Sequence, residues 1–398
     1  MNKHDLNIYK MNIAFFLRSF LLLTPITLFF YQENGLTVQT LFLFQGIFYL
    51  TSICSEIPVG YLSDKFSKKN IILVSFVLFL LRSLLWITCR GYWIIMLGEI
   101  LFAISKVMMD NTMSGYLYDY LSSKNKSNKI VKYYGFLNFF LATGTSLAAL
   151  AGTYIYKMNG SKTVLLGEMI LIIIAILLMS TMPQTKSDNS VKHNKSKDFV
   201  KYTQVFFRNK AIINYVLYSG LLTSCSVLFA LSFQPLMQHS LFPLMYFGVV
   251  AFINHILRAL SSAISGLAQK YCSIRTLIIP LYFLYLGAFA LIFKIINSIN
   301  IKLNFAFIII ICIIIGCQLL FTIMHIGRLH HMVSVSRRGA IMSVNNFISR
   351  FMTATILLSS KFFIDKLGLQ NFYIIVFAIF FIIASYLMVS TYKIKEFV

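Results

Sequence analysis

The chain has 398 residues, of which 58% are hydrophobic and only 12% are charged. A water-soluble fold of this composition would expose more apolar surface than soluble proteins tolerate, so the chain is expected to lie in a lipid bilayer. A formal net charge of +23 would favour nucleic acid in a soluble protein, but here the Lys and Arg residues gather in particular loops, and no nucleic-acid partner is predicted.

The apolar residues form twelve runs, each about the length of one membrane-crossing helix. A hydrocarbon core about 30 Å thick needs roughly 20 helical residues for each crossing. The runs lack the alternating pattern of barrel strands, so the sequence predicts an all-α membrane protein. The predicted spans are 11–31, 38–62, 71–89, 93–119, 133–156, 163–182, 211–236, 244–269, 276–296, 304–327, 339–360 and 371–391.

One long polar segment divides these spans into two sets of six. Residues 183–210 are rich in Lys, Ser and Asn, whereas the other loops are short. The sequence predicts an N-terminal six-helix bundle at 1–182, a cytoplasmic linker at 183–210 and a C-terminal six-helix bundle at 211–398. A glycine-containing pattern at residues 60–69 recurs weakly at 266–275, which favours two pseudo-symmetric bundles.

The basic residues indicate the orientation of the chain. They cluster at the termini and in the loops that follow even-numbered spans, such as residues 65–69 and 124–132. Cytoplasmic loops carry this excess of positive charge, so both termini are predicted to lie on the cytoplasmic side of the cell (inner) membrane.

The sequence contains no signature of an enzyme. It has no G-x-x-x-x-G-K-[ST] phosphate-binding loop, and no loop is long enough to form a catalytic domain. The Cys and His residues show no metal-ligand spacing. We therefore expect no catalytic residue, no metal and no cofactor, and transport driven by a gradient, with protons as the expected coupling ion.

The segment after the second span carries the clearest motif. Residues 60–69 read G-Y-L-S-D-K-F-S-K-K. This segment resembles the loop signature of the major facilitator superfamily, G-x-x-x-D-[RK]-x-G-[RK]-[RK], with Ser67 in place of the second glycine. The resemblance implies two six-helix bundles that alternate access to a central cavity, a small-molecule substrate and a monomer.

The same resemblance implies a conformational latch at the cytoplasmic ends of the helices. Asp64 would accept hydrogen bonds from the start of a helix near Arg338, where the helix dipole favours a carboxylate. Lys65 or Lys69 would pair with Asp119. The predicted latch residues are Gly60, Asp64, Lys65, Lys69, Asp119 and Arg338.

A narrower resemblance concerns the direction of transport. Residues 56–60 read E-I-P-V-G and are similar to a segment of an efflux-rich subgroup, which also carries pairs like Gly98-Glu99 and Tyr118-Asp119. The resemblance implies proton-coupled export of an amphipathic, charge-bearing small molecule, such as an antibiotic, including a peptide antibiotic, or another secondary metabolite. Two alternatives stay open: an importer of an anionic or zwitterionic metabolite, and a membrane sensor or assembly partner that does not transport.

Ionisable residues inside spans are the candidate coupling sites, because each costs a few kcal/mol unless it is paired or faces water. Glu99, Lys106 and Asp110 are 7 and 4 residues apart and share one helix face, and Lys106 with Asp110 can form an i,i+4 salt bridge. A purely structural ion network is the alternative for this stripe. For proton coupling we expect Glu99 and Asp110 first, then Glu56 and His325.

The remaining polar residues of the spans are predicted to line the substrate cavity. No acid lies inside a span of the second half, so that half is expected to present a basic wall to a carboxylate, phosphate or zwitterion. Arg18 and Arg82 are candidate counter-ions for the embedded acids, whereas Glu168 is expected to reach interfacial water. The predicted cavity residues are Arg18, Arg82, Lys106, Asn254, His255, Arg258, Gln318, Asn346 and Arg350.

Overall fold

The computed structural model of the chain describes residues 3–126, 129–185, 210–271, 273–297, 301–331 and 338–392. Its regular structure within these ranges is helical. The helices are α1 (Lys3–Arg18), α2 (Thr27–Glu33), α3 (Val38–Lys65), α4 (Lys68–Thr88), α5 (Tyr92–Ser122), α6 (Ile130–Ser180), α7 (Lys210–His239), α8 (Met245–Tyr271), α9 (Ile274–Asn297), α10 (Ile301–His331) and α11 (Arg338–Tyr392). A short 3-10 turn, Thr24–Ile26, lies between α1 and α2.

Two of the helices are too long for one crossing. Helices α6 and α11 contain 51 and 55 residues, which at 1.5 Å per residue is roughly 80 Å, more than twice the hydrocarbon thickness. Each is interrupted at one glycine with a positive φ, Gly160 at 76° and Gly368 at 84°. Glycine adopts this conformation without steric cost. Each helix therefore supplies two membrane-length segments, where the sequence predicted two spans.

The first predicted span is broken, which corrects the expectation of one helix over 11–31. Helix α1 ends at Arg18, and the chain becomes helical again only at the 3-10 turn that contains Pro25. Proline has no backbone N–H and therefore does not continue the ladder of an α-helix.

Within the described residues, nine helices are long and apolar enough to cross a membrane. Helices α6 and α11 each supply two crossings, and the broken first span supplies one more, so the structure is consistent with twelve. The predicted all-α membrane architecture is confirmed.

By its backbone packing the chain forms two compact units. The first contains Met1–Val191 with Pro243–Ile256, and the second contains Lys192–Phe242 with Leu257–Val398. In the first unit α5 packs on α3 and α4, and α6 packs on α1 and α4. In the second unit α7 packs on α11, and α9 contacts both α10 and α11. The predicted domain bounds stay a prediction, since most of the predicted linker lies outside the described residues.

The broken first span lies directly against α6. A Cβ atom added to Gly152 would lie 1.9 Å from the carbonyl oxygen of Leu22, and one added to Gly144 would lie 2.0 Å from Oγ of Ser19. Gly152 therefore lets the backbone of the break approach α6 more closely than any other residue would allow, and Gly144 does the same for the side chain of Ser19.

This close approach predicts a difference between two glycine variants of α6. Gly152→Ala should lower the free energy of unfolding by about 1–3 kcal/mol, because the methyl group meets backbone that cannot rotate away. Gly135→Ala is the matched control, since nothing lies within 4 Å of the added Cβ. Thermal unfolding in detergent measures both variants, and equal midpoints would contradict the close contact.

Candidate functional site

Among the described residues of the first unit, four charged side chains are exposed by 5% or less. The exposed fractions are 2% for Arg18, 5% for Arg82, 2% for Glu99 and 1% for Glu168. Burial of an ionised group is costly unless a counter-charge or hydrogen bonds compensate it, so the partners of each side chain show which charges are structural.

Arg82 and Glu168 form a buried salt bridge between α4 and α6. Nη1 of Arg82 lies 3.0 Å from Oε2 of Glu168, and Oε1 of Glu168 accepts a hydrogen bond of 3.0 Å from the backbone N–H of Leu23. Both carboxylate oxygens therefore have a donor, and one of the donors is a cation. The expectation that Glu168 reaches interfacial water is wrong, and Glu168 is the acid that compensates Arg82.

Glu99 on α5 has a different environment. Its Oε1 accepts a hydrogen bond of 2.6 Å from the Tyr31 hydroxyl of α2, whereas its Oε2 is buried without a hydrogen-bond partner. Glu99 forms no ion pair among the residues that the structure describes. Burying a charged carboxylate with one unpartnered oxygen is costly, whereas burying the neutral carboxylic acid costs much less.

Arg18, at the end of α1, is held by polar and aromatic groups. Its Nη2 donates a hydrogen bond of 3.0 Å to Oγ of Ser105, which in turn donates one of 2.6 Å to the carbonyl oxygen of Ser75. The guanidinium group lies 3.8 Å above the ring of Phe79, close enough for a cation–π contact. Arg18 thus links α1 to α4 and α5.

Lys106 and Asp110 form the i,i+4 salt bridge that the sequence predicted. Nζ of Lys106 lies 2.6 Å from each carboxylate oxygen of Asp110, and the exposed fractions of the two side chains are 41% and 39%. Glu99, two turns earlier, is buried. The structure therefore divides the predicted stripe of α5 into a buried acid and an exposed ion pair.

In the second unit a hydroxyl and amide cluster surrounds Gln318. Its Nε2 donates hydrogen bonds to Thr223 at 3.0 Å and Thr322 at 3.3 Å, and its Oε1 accepts one of 3.2 Å from the hydroxyl of Tyr285. The sequence identified Gln318 but missed Tyr285, because nothing in the pattern separates it from the other Tyr residues.

His325 is buried in the same unit. Its Nε2 lies 3.0 Å from the amide oxygen of Asn345, and its ring centroid lies 4.3 Å from that of Tyr215. The contact with Asn345 makes His325 part of the packing between α10 and α11. Its part in proton coupling stays a prediction.

The other predicted cavity residues and the predicted coupling residue Glu56 differ in exposure. Arg258 and Asn346 are exposed, Asn254 is buried, and Glu56, His255 and Arg350 are half-buried. Whether they share one cavity stays a prediction. Among the described residues, no group of three or more His, Cys, Asp or Glu side chains could hold a metal ion.

The structure corrects one pairing of the predicted latch. Asp119 pairs with Lys68, at 2.5 Å between Nζ and Oδ2, and not with Lys65 or Lys69. Lys69 instead donates to the carbonyl oxygens of Ser180 and Met182 at the end of α6. Its position one residue into α4 turns it away from Asp119.

The remaining latch residues are described only in part. Lys65 is exposed, and Gly60 lies in the last turns of α3. Helix α11 is described from Arg338 onward, and the side chains of Asp64 and Arg338 lie outside the described part of the structure. The latch therefore stays a prediction.

The sequence and fold together define the class of this protein. Residues 11–357 match the Major Facilitator Superfamily, and the chain belongs to this family. It is therefore a multi-pass membrane transporter rather than an enzyme. The match identifies the superfamily and does not distinguish the efflux subgroup that the sequence suggested.

A curated relative and solved structures agree with this class. Over 172 residues the chain is 23% identical to the uncharacterized transporter BU466 of Buchnera aphidicola subsp. Acyrthosiphon pisum (strain APS). The match covers 43% of each chain, so less than half of that relative's length is spanned.

Two solved transporters share the fold. A mutant of the nucleoside transporter NupG has a TM-score of 0.82 at 14% identity, with 96% of this chain and 99% of that chain covered. A bacterial homolog of the human lysosomal transporter Spinster, in an inward-facing and unoccupied conformation, has a TM-score of 0.71 at 13% identity, with 98% of both chains covered. At these identities the likeness shows the fold alone.

The Arg82–Glu168 and Lys106–Asp110 ion pairs of the first unit should respond differently to loss of the acid. Glu168→Gln leaves the buried Arg82 cation uncompensated and should cost about 3–5 kcal/mol of unfolding free energy. Asp110→Asn breaks an exposed i,i+4 pair and should cost about 0.5 kcal/mol or less. Thermal unfolding of both variants in one detergent checks this order, and a larger loss for Asp110→Asn would contradict it.

Proposed function

We propose that this transporter couples substrate movement to the proton gradient, with Glu99 as the group that carries the proton. The supporting observation is the environment of the carboxyl group. It is buried, it accepts one hydrogen bond from Tyr31, and its second oxygen has no partner. A neutral acid is stable there. The nearby Arg82 is already paired with Glu168, so a carboxylate at Glu99 needs further compensation, which water entering on a rearrangement would supply.

Glu168 provides the contrast that supports this assignment. It is buried to the same degree, but a guanidinium group and a backbone N–H compensate its two oxygens. Two buried acids in one helix bundle thus have separate roles. Glu168 is a fixed structural anion, and Glu99 is the group whose charge changes.

Alternating access supplies the link between this proton and transport. When the protein opens to one side, water reaches Glu99 and the proton leaves, because hydration stabilises the new carboxylate. Closure removes the water and favours a new proton. Net proton movement then requires that the openings to the two sides alternate, which is the motion that carries the substrate.

The proposed substrate is an amphipathic small molecule that bears charge, and the proposed direction is export. The exposed Lys106 and Asp110 pair offers both signs of charge on α5. These groups suit a zwitterion or an anion with an apolar body. The E-I-P-V-G segment favours export over import.

Uptake of a polar metabolite is the second candidate. It rests on the fold that the chain shares with the nucleoside transporter NupG. A nucleoside therefore belongs among the compounds to be tested beside dipeptides and cationic dyes.

We also propose a monomer in the inner membrane with both termini cytoplasmic, and two six-helix bundles that work through the predicted latch. The salt bridge of Lys68 with Asp119 supports the latch, because it ties the start of α4 to the last turns of α5 next to the 60–69 loop.

Proteoliposomes loaded with a pH-sensitive dye test coupling and direction together. A compound that enters through a proton antiporter drives protons out and makes the lumen more alkaline, whereas a symporter makes it more acidic. We expect an alkaline signal with at least one of a dipeptide, uridine or ethidium. An acidic signal would establish import in place of export.

The variant Glu99→Gln should abolish the proton signal while substrate exchange without a gradient continues. Glu33→Gln is the matched control, because Glu33 is an exposed acid at the end of α2 and hydrogen-bonds Ser161. An unchanged proton signal in Glu99→Gln would contradict the proposed coupling site.

A further inference from the structure

The break in the first span leaves backbone groups that cannot form the hydrogen bonds of a continuous helix. Residues 19–23 lie between α1 and the 3-10 turn, and Ser19, Leu22 and Leu23 are buried. A buried backbone N–H without an acceptor costs free energy, so a break at this depth needs partners from other helices.

Glu168 supplies the acceptor for this break. Its Oε1 accepts the N–H of Leu23 at 3.0 Å, from a helix 145 residues further along the chain. Its Oε2 binds Arg82, so the carboxylate that holds the break is itself neutralised by α4. Gly152 of α6 also packs against the break, at the carbonyl oxygen of Leu22.

The segment that leaves this anchor leads directly to the proposed coupling acid. Leu23 precedes the 3-10 turn and α2, which carries Tyr31 to its hydrogen bond with Glu99. The ring of Phe30, beside Tyr31, lies 5.2 Å from that of Trp86, and the Arg82 guanidinium lies 4.0 Å over Trp86. Arg82 therefore contacts the partners of both ends of the segment: Glu168, which binds Leu23, and Trp86, which packs on Phe30.

We propose that Glu168, neutralised by Arg82, is a positioning residue that holds the broken first span so that the Tyr31 hydroxyl meets Glu99. The consequence for coupling rests on the proposed function of Glu99, whereas the anchoring of the break does not. The groups that face Glu99 from neighbouring elements are the Tyr31 hydroxyl of α2 and the Arg82 cation of α4.

Two double variants separate anchoring from simple charge balance. Both contain Arg82→Leu, so neither leaves an uncompensated charge. With Glu168→Gln the side-chain carbonyl can still accept the N–H of Leu23, whereas with Glu168→Leu nothing accepts it. A role limited to charge neutralisation predicts that the two double variants behave alike.

Hydrogen–deuterium exchange of the full-length protein measures the anchor itself. We expect peptides covering residues 19–27 to exchange about tenfold faster in the Arg82→Leu/Glu168→Leu variant than in the Arg82→Leu/Glu168→Gln variant, since one hydrogen bond is lost. Equal exchange would overturn the anchoring role.

Tryptophan fluorescence measures the effect on Glu99 without a substrate. The chain has two Trp residues, and Trp93→Phe leaves Trp86, which lies against Gly98, the neighbour of Glu99. We expect the pH midpoint of Trp86 fluorescence to differ between the two double variants. Equal midpoints combined with unequal exchange would overturn the positioning of Tyr31.

The Glu99→Gln variant in the same Trp93→Phe background separates the two proposals. If its fluorescence still titrates like that of the parent, Glu99 is not the titrating group and the proposed function fails, while the exchange data still decide the anchor. If the titration is lost in Glu99→Gln, the comparison of the double variants decides the positioning role.

Discussion

A charge inside a lipid-embedded helix bundle is stable only when other groups compensate it, and this constraint organises the first unit of the protein. Arg82 and Glu168 compensate each other as an ion pair, and the second oxygen of Glu168 accepts a hydrogen bond from the N–H of Leu23. Glu99 meets the constraint poorly as an anion. Among the described residues Tyr31 alone hydrogen-bonds to it, and Arg82, which faces it, is paired with Glu168. The difference between the two acids is the physical basis for separating a structural charge from a coupling charge.

The same contacts explain why the first span can be broken. An interruption inside the membrane requires that its free backbone groups find partners in the protein. Glu168 provides one such partner, and the glycines of α6 allow the approach that brings the break within reach. Interrupted helices in transporters often lie at functional positions, and here the interruption leads to the residue that contacts Glu99.

The sequence was sufficient for the architecture because membrane insertion depends on local composition. Apolar runs of the right length predict the helices, and glycines at residues 160 and 368 lie where two adjacent spans were expected to separate. The Lys106 and Asp110 pair was predictable for the same reason, since spacing along one helix determines it.

The long-range pairings were not predictable from local patterns. Arg82 and Glu168 are 86 residues apart, and a helix face alone does not identify which acid meets which base. Asp119 could have met any of three nearby lysines, and only the geometry of the α3–α4 turn selects Lys68. The break at residues 19–23 was missed because its sequence is largely apolar and its proline signal, Pro25, lies two residues beyond the break.

Infrared spectroscopy of the protein in lipid tests the central claim most directly, because a protonated carboxyl group has a C=O band that a carboxylate lacks. We predict that a carboxylic-acid band of the parent protein, recorded at a pH at which exposed carboxyl groups are ionised, disappears in Glu99→Gln and persists in Glu33→Gln. A spectrum of Glu99→Gln that retains the band would show that Glu99 does not carry the proton and would contradict the account.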